Sequence, residues 1–153
     1  MVKRYIVLAA LAVALSGCAS VPMGDLKRDA ALKTFAEKSD VAGVYIYRNE
    51  SLGPVNRIIV QVDGKPLGKT VPFVYLYTEV SPGKHVISST SLNPYTSNPT
   101  YTNSLEIEAI AGKNYYVWQE YTLGFPFPKS KLHLVDEAEG QKGVLGTELA
   151  ESK

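Results

Sequence analysis

The chain is poor in the residue types that most often carry chemistry. Its 153 residues include one cysteine, one tryptophan and two histidines. A lone cysteine can close no intramolecular disulfide and build no multi-thiolate zinc site. The histidines, His85 and His133, stand far apart without H-x-H or H-E-x-x-H spacing, so a metal site would have to be assembled by the fold. An excess of one charge is also missing, with 16 basic and 15 acidic residues. Nucleic-acid binding requires a concentrated basic surface that displaces phosphate counterions, and that class of partner is excluded. There is no G-x-S-x-G nucleophile turn, no phosphate-cradling glycine-rich loop and no dinucleotide fingerprint. No catalytic residue, metal or cofactor is therefore expected, and the chain reads as a non-enzyme.

What is present begins at the N-terminus. Lys3 and Arg4 precede an apolar run from Tyr5 to Leu15, and small Ser16 and Gly17 follow before the single cysteine, Cys18. This is the three-part layout of an export signal. At 11 residues the run is about half the ~20 needed for a transmembrane helix, which argues against a permanent spanning anchor. Leu15-Ser16-Gly17-Cys18 resembles the bacterial lipobox, in which the cysteine thiol receives a diacylglycerol and the chain is cut before it. Residues 1–17 are thus expected to be a cleaved lipoprotein signal peptide, with residues 18–24 a lipidated tether. Ala19, where an aspartate would favour retention, points to the periplasmic face of the outer membrane. Removing the signal leaves 136 residues, enough for one domain with a real core, and a basic-to-acidic balance of 14 to 15.

Beyond the tether, helix formers dominate from Asp25 to about Lys38, with Leu32, Phe35 and Ala36 on one face, the pattern of a short lid docking Phe35 onto a larger body. After Asp40 the apolar period becomes two. Val44 and Ile46 alternate with Tyr45 and Tyr47, predicting a half-buried strand, and Ile58, Val60 and Val62 form the next apolar face. Asp63-Gly64 suits a tight hairpin. Residues 73–80 are apolar on both sides and belong at the centre of a sheet. A turn at 81–84 follows, then a strand over 85–90. Residues 91–103 lack periodicity and contain Pro94 and Pro99, predicting the longest loop. Leu105, Ile107 and Ala109 alternate with Glu106 and Glu108; Tyr115 to Tyr121 and the Leu132-Leu134 segment complete the strands. The sum is an all-β, antiparallel β-sandwich of about seven strands, immunoglobulin-like or related, spanning residues 25–140 with its preceding short helix. A charged C-terminal helix or tail is expected over 141–153.

Candidate binding residues come from the aromatics. Nine of the ten tyrosines lie beyond the signal. Tyr95, Tyr101, Phe125 and Phe127 fall on predicted loops, where such rings either make contacts with glycan, peptide or protein, or fold back over the ends of the sandwich. Glu106 and Glu108 share a strand face about 6–7 Å apart, which suits a solvated edge better than paired acid-base catalysis. Asp136, Glu137 and Glu139 lack calcium-loop spacing.

The series Ala42-Gly43-Val44-Tyr45-Ile46-Tyr47-Arg48, Val62-Asp63-Gly64, Pro82-Gly83-Lys84-His85, Gly112-Lys113-Asn114-Tyr115-Tyr116-Val117 and Leu134-Val135 resembles a family of small bacterial lipoproteins filed as a domain of unknown function. The resemblance covers roughly residues 30–140 and implies a β-sandwich behind a lipobox in the cell envelope. It brings no catalytic residues. The functional expectation is a lipid-anchored envelope adaptor whose partners are the membrane and an envelope protein or peptidoglycan. A glycan-, peptidoglycan- or peptide-binding module using the aromatic loops is the alternative, and an enzyme with a site assembled by the fold around Glu106, Glu108 or a histidine is the third reading.

Overall fold

The computed structural model describes residues 21–54 and 56–152, so Leu15, Ser16, Gly17 and Cys18 lie outside the described residues. In β1 (Ala42–Arg48) the alternation sends Val44 and Ile46 to one face and Tyr45 and Tyr47 to the other. Both faces are buried, rather than the expected one. The aliphatic side meets a second sheet and the tyrosine side is covered by the chain's two ends.

The remaining strands are β2 (Ile58–Val62), β3 (Lys65–Thr70), β4 (Val74–Val80), β5 (Gly83–Leu92), β6 (Pro99–Ala109), β7 (Asn114–Thr122), β8 (Lys129–Val135) and β9 (Glu148–Leu149). They form a five-stranded sheet, β8-β7-β1-β4-β9, and a four-stranded sheet, β3-β2-β5-β6. The all-β, two-sheet expectation holds, with nine strands in place of about seven. The sheets are not wholly antiparallel, because β1 pairs in parallel with β7 and β4 with β9. A parallel pair needs a long crossover, and the excursion through β2 to β6 supplies it for β1 and β7.

Local chemistry sets the turns. Asp63 and Gly64 both take positive φ, 51° and 74°, as a two-residue hairpin between β2 and β3 requires. The loop expected over 91–103 is mostly strand. β5 and β6 pair without interruption from Gly83↔Ala109 to Ser91↔Tyr101, and only 93–98 remain as a turn. Pro99 is tolerated because it opens an edge strand, where a missing N–H costs no ladder bond. Asn93 closes the turn by accepting from the Tyr95 and Thr96 amides at 2.8 and 3.2 Å.

Between the sheets Val44, Ile46, Leu76 and Val117 pack against Val60, Ile87 and Ile107. A buried polar chain crosses this core. Thr70 bonds Gln119, the Gln119 amide donates to Ser89 Oγ at 2.8 Å, and Ser89 bonds Ser130, so strands of both sheets are tied with their polar groups paired.

The termini depart most from expectation. The helix α1 (Leu26–Leu32) is shorter than the helical composition implied, and α2 (Glu137–Leu145) begins at Asp136, whose carboxylate accepts from the Glu139 amide at 2.9 Å. The tail expected over 141–153 is instead built into the domain. Val144, Leu149 and Ala150 are buried, and β9 extends the five-stranded sheet. Residues 21–24, expected as tether, run beside β9: Glu151 N donates to Pro22 O and Gly24 N to Leu149 O, both at 2.8 Å. Val21 is buried in the core.

The glycines of α2 let it lie flat on the sheet, and a Cβ at Gly140 would fall well inside contact distance of Tyr116 Cβ and Cγ. In an exposed helix interior a Gly→Ala change stabilises by roughly 1 kcal/mol. For Gly140→Ala the sign should reverse, with a loss of about 1–3 kcal/mol from forced repacking, read as a lowered denaturation midpoint in urea.

Candidate functional site

Tyr45, Tyr47, Tyr75, Tyr77 and Tyr116 form a layer on the outer face of the five-stranded sheet. Their rings touch: Tyr45 stacks on Tyr116 at 5.2 Å and meets Tyr77 at 4.7 Å. Above them lies Phe35, edge-on to Tyr45 and Tyr116 at 5.6 and 5.9 Å. The lid expectation for Phe35 is met, although Phe35 sits beyond α1 in a left-handed turn, φ 55°, and not on a helix face with Leu32 and Ala36. A bulky residue in that region is strained, and the ring contacts offset the cost. Burial pushes every one of these phenols above its ordinary pKa, with Tyr47 raised to about 12, so the layer is neutral at physiological pH. It is a structural interior without a group poised for proton transfer.

The loops 49–57, 93–98 and 123–128 gather at one end of the sandwich, since β1 and β7 run parallel and the ends of β5 and β7 lie on that side. Arg48 organises this end. Fully buried, its guanidinium donates to the carbonyls of Leu52, Gly53 and Asn56 and lies 4.6 Å from the Tyr121 ring. Burial lowers its pKa to about 10, opposed by Glu50, and it keeps its charge near neutrality. Nothing in the composition distinguished Arg48 from a surface arginine.

On this platform the expected loop aromatics divide. Phe125 is 98% exposed and Tyr95 92%, so these two do not fold back over the sandwich. Phe127 is half-buried, and Tyr101, on β6, is partly covered by Lys129, whose Nζ is 5.3 Å from the ring. Leu123, exposed at 79%, joins Phe125 on the 123–128 loop and was not singled out from the sequence.

The titratable candidates do not converge. Glu106 and Glu108 are exposed on edge strand β6, with Glu106 3.4 Å from Lys84. Among the described residues, no group of three or more His, Cys, Asp or Glu is placed to hold a metal. His133, on the outer face of the other sheet, is half-buried. It bonds Glu120 at 2.7 Å and stacks on Trp118. His85 bonds Asp63 at 2.7 Å and the Ser81 carbonyl at 2.8 Å. The Asp63 hydrogen bond raises the His85 pKa, and the same bond, with the Val86 amide, lowers that of Asp63.

This pair makes a pH prediction. The His85 contribution is complete below the unfolded value near 6.5 and is lost as pH rises through its raised folded pKa. That of Asp63 is complete above about 3.9 and is lost as pH falls through its lowered one. The pair is therefore strongest between about pH 4 and 6.5, and solvent screening keeps it below about 1 kcal/mol. The melting-temperature difference between wild type and His85→Gln should be largest near pH 5 and shrink by pH 9; an equal difference at both would remove the pair as its source.

Comparison with known proteins finds relatives in sequence and adds no site. The chain is 32% identical over 145 residues to an uncharacterized protein from Haemophilus influenzae, covering 93% of this chain and 81% of that one. No solved structure matches it. The model of the family described as Protein of unknown function (DUF2846) matches residues 38–131, from the approach to β1 into β8. The chain belongs to that family.

Proposed function

We propose that this protein is a lipid-anchored, non-enzymatic adaptor of the bacterial cell envelope, held at the periplasmic face of the outer membrane through Cys18. The observation that carries this reading is the docking of residues 21–24 along β9. Buried Val21 is the third residue after Cys18, a reach of at most about 10 Å. A lipid on Cys18 would then hold the β3 and β9 edges against the bilayer. Around that point Met23, Phe73 and Leu145 are about half exposed and line a shallow hollow with Lys33, a surface suited to the interface between lipid and water. The two acyl chains of a diacylglycerol would meet the two-signal requirement for stable anchoring.

The same geometry supports a reading of the partner side. The turns at 93–98 and 123–128 join β5 to β6 and β7 to β8, the strands at the opposite edges of the two sheets from β3 and β9. Tyr95 and Phe125 thus lie toward the far sheet edges from the anchor, at the end of the sandwich that also carries Phe73. Large exposed rings on a braced platform suit a protein partner, and the same exposure supports the alternative, a glycan- or peptide-binding module using Tyr95, Tyr101, Phe125 and Phe127.

Two measurements test these parts separately. Cys18→Ser should abolish labelling of the protein by a fatty-acid analogue in cells; undiminished incorporation would sink the anchor. Tyr95→Ala combined with Phe125→Ala should reduce cross-linking to envelope proteins, or co-sedimentation with peptidoglycan, at least fivefold. Because both rings are exposed, stability should stay within about 0.5 kcal/mol of wild type.

A further inference from the structure

We propose that the cleft between α2 and the β1–β7 pair is a binding site for an uncharged saccharide, with Trp118 as its platform. It lies on the outer face of the five-stranded sheet and is distinct from the aromatic loops. β7 places Tyr116, Trp118 and Glu120 on that face, and β1 places Tyr47 beside Trp118. Helix α2 covers Tyr116 and Tyr47 and leaves a cavity of about 480 Å³ along one of its flanks. Tyr47, Asn49, Phe73, Trp118, Glu139 and Lys142 line it. The volume falls within the range of roughly 300–1,000 Å³ typical of small-molecule sites.

Trp118 is held as a platform should be. On one side His133 stacks at 5.1 Å and 27°, itself fixed by Glu120 at 2.7 Å. His133 belongs to β8, and β1 lies on the opposite side of β7, so the imidazole clamps the indole from the flank away from the cleft. The indole Nε1 is buried and has no hydrogen-bond partner. Buried indole N–H groups ordinarily find an acceptor, and a ligand hydroxyl would supply one.

The charge of the rim selects the ligand class. Glu139 accepts, Lys142 donates and Asn49 does both, and the two charges stand three residues apart on one helix. A singly charged ligand would gain from one and be repelled by the other. A pyranose ring offers one apolar C–H face for the indole and hydroxyls that satisfy donors and acceptors alike.

Trp118 is the only tryptophan, so its fluorescence reports the site alone. Titration of the folded domain with the tetrasaccharides of N-acetylglucosamine and of glucose should give a saturable emission change with at least one, with Kd below about 10 mM. Asn49→Ala with Glu139→Ala, both on exposed positions, should weaken binding at least tenfold, and so should Trp118→Phe read by calorimetry. Tyr95→Ala with Phe125→Ala should leave it within twofold, separating this site from the loop reading. No saturable response to either sugar, a response unchanged in the Asn49/Glu139 variant, or a response only to the zwitterionic dipeptide Ala-Ala would overturn the proposal. Should Trp118→Phe fail to fold, the rim variant decides.

Discussion

Five tyrosines on one face of a sheet must be dried without orphaning their hydroxyls, and the rest of the structure depends on how that is done. A ring of this kind buries about 150–250 Å², roughly 4–6 kcal/mol gross at about 25 cal/mol per Å². Leaving its hydroxyl unpaired would return about 1–3 kcal/mol. Burial wins if a partner is provided, and the chain ends provide several. Tyr45 donates to the Leu32 carbonyl at 2.9 Å and Tyr75 to Asp29 at 2.8 Å, while Gln141 of α2 donates to the Tyr116 hydroxyl at 3.4 Å. Tyr77 stays within its own strand and donates to Glu79 at 3.1 Å.

The cover therefore behaves as part of the core. Asp29 shows the coupling: besides Tyr75 it accepts from the Leu149 amide at 3.2 Å and pairs with Lys33 at 2.9 Å. Lys33 in turn donates to the Thr147 carbonyl. One carboxylate joins α1, β4 and β9, which are far apart in sequence. A change at either end of the chain is thus felt in the tyrosine layer, and neither terminal segment can leave without exposing rings that belong to β1, β4 and β7.

How much of this could be read from the residues follows from what periodicity encodes. Alternation at Val44-Tyr45-Ile46-Tyr47 located a strand and separated its faces correctly. It assigned the tyrosine face to solvent because an amphipathic ring is compatible with either side, and only the terminal cover decides. Asp63-Gly64 announced its hairpin through backbone chemistry that acts locally. The 91–103 segment misled because its two prolines and uncharged polar residues resemble a loop, whereas pairing with β5 overrides weak local preference along an edge strand. The parallel pairs β1–β7 and β4–β9 are long-range choices that no local pattern reports. The candidate sites divide the same way: Tyr95 and Phe125 were visible as loop aromatics, but the cleft beside Trp118 joins residues from β1, β7 and α2.

That cleft is a consequence of how the cover is fitted. Gly140 and Gly143 lie inside α2 and Gly146 caps its C-terminus, and each glycine inside a helix costs roughly 1 kcal/mol relative to alanine. For the first two the cost has a clear return, since a Cβ would collide with the Tyr116 and Tyr47 rings and only bare backbone can seat the helix on them. At Gly146 the nearest atom to a Cβ would be 3.6 Å away, an ordinary contact, and close packing does not demand glycine there. The helix is pressed onto the tyrosines at Gly140 and Gly143 and leaves room along one flank, beside the one tryptophan. Over Tyr45 and Tyr116 the corresponding space is filled by Phe35. The two ends of one layer thus differ, packed with an aromatic ring over Tyr45 and open beside Trp118.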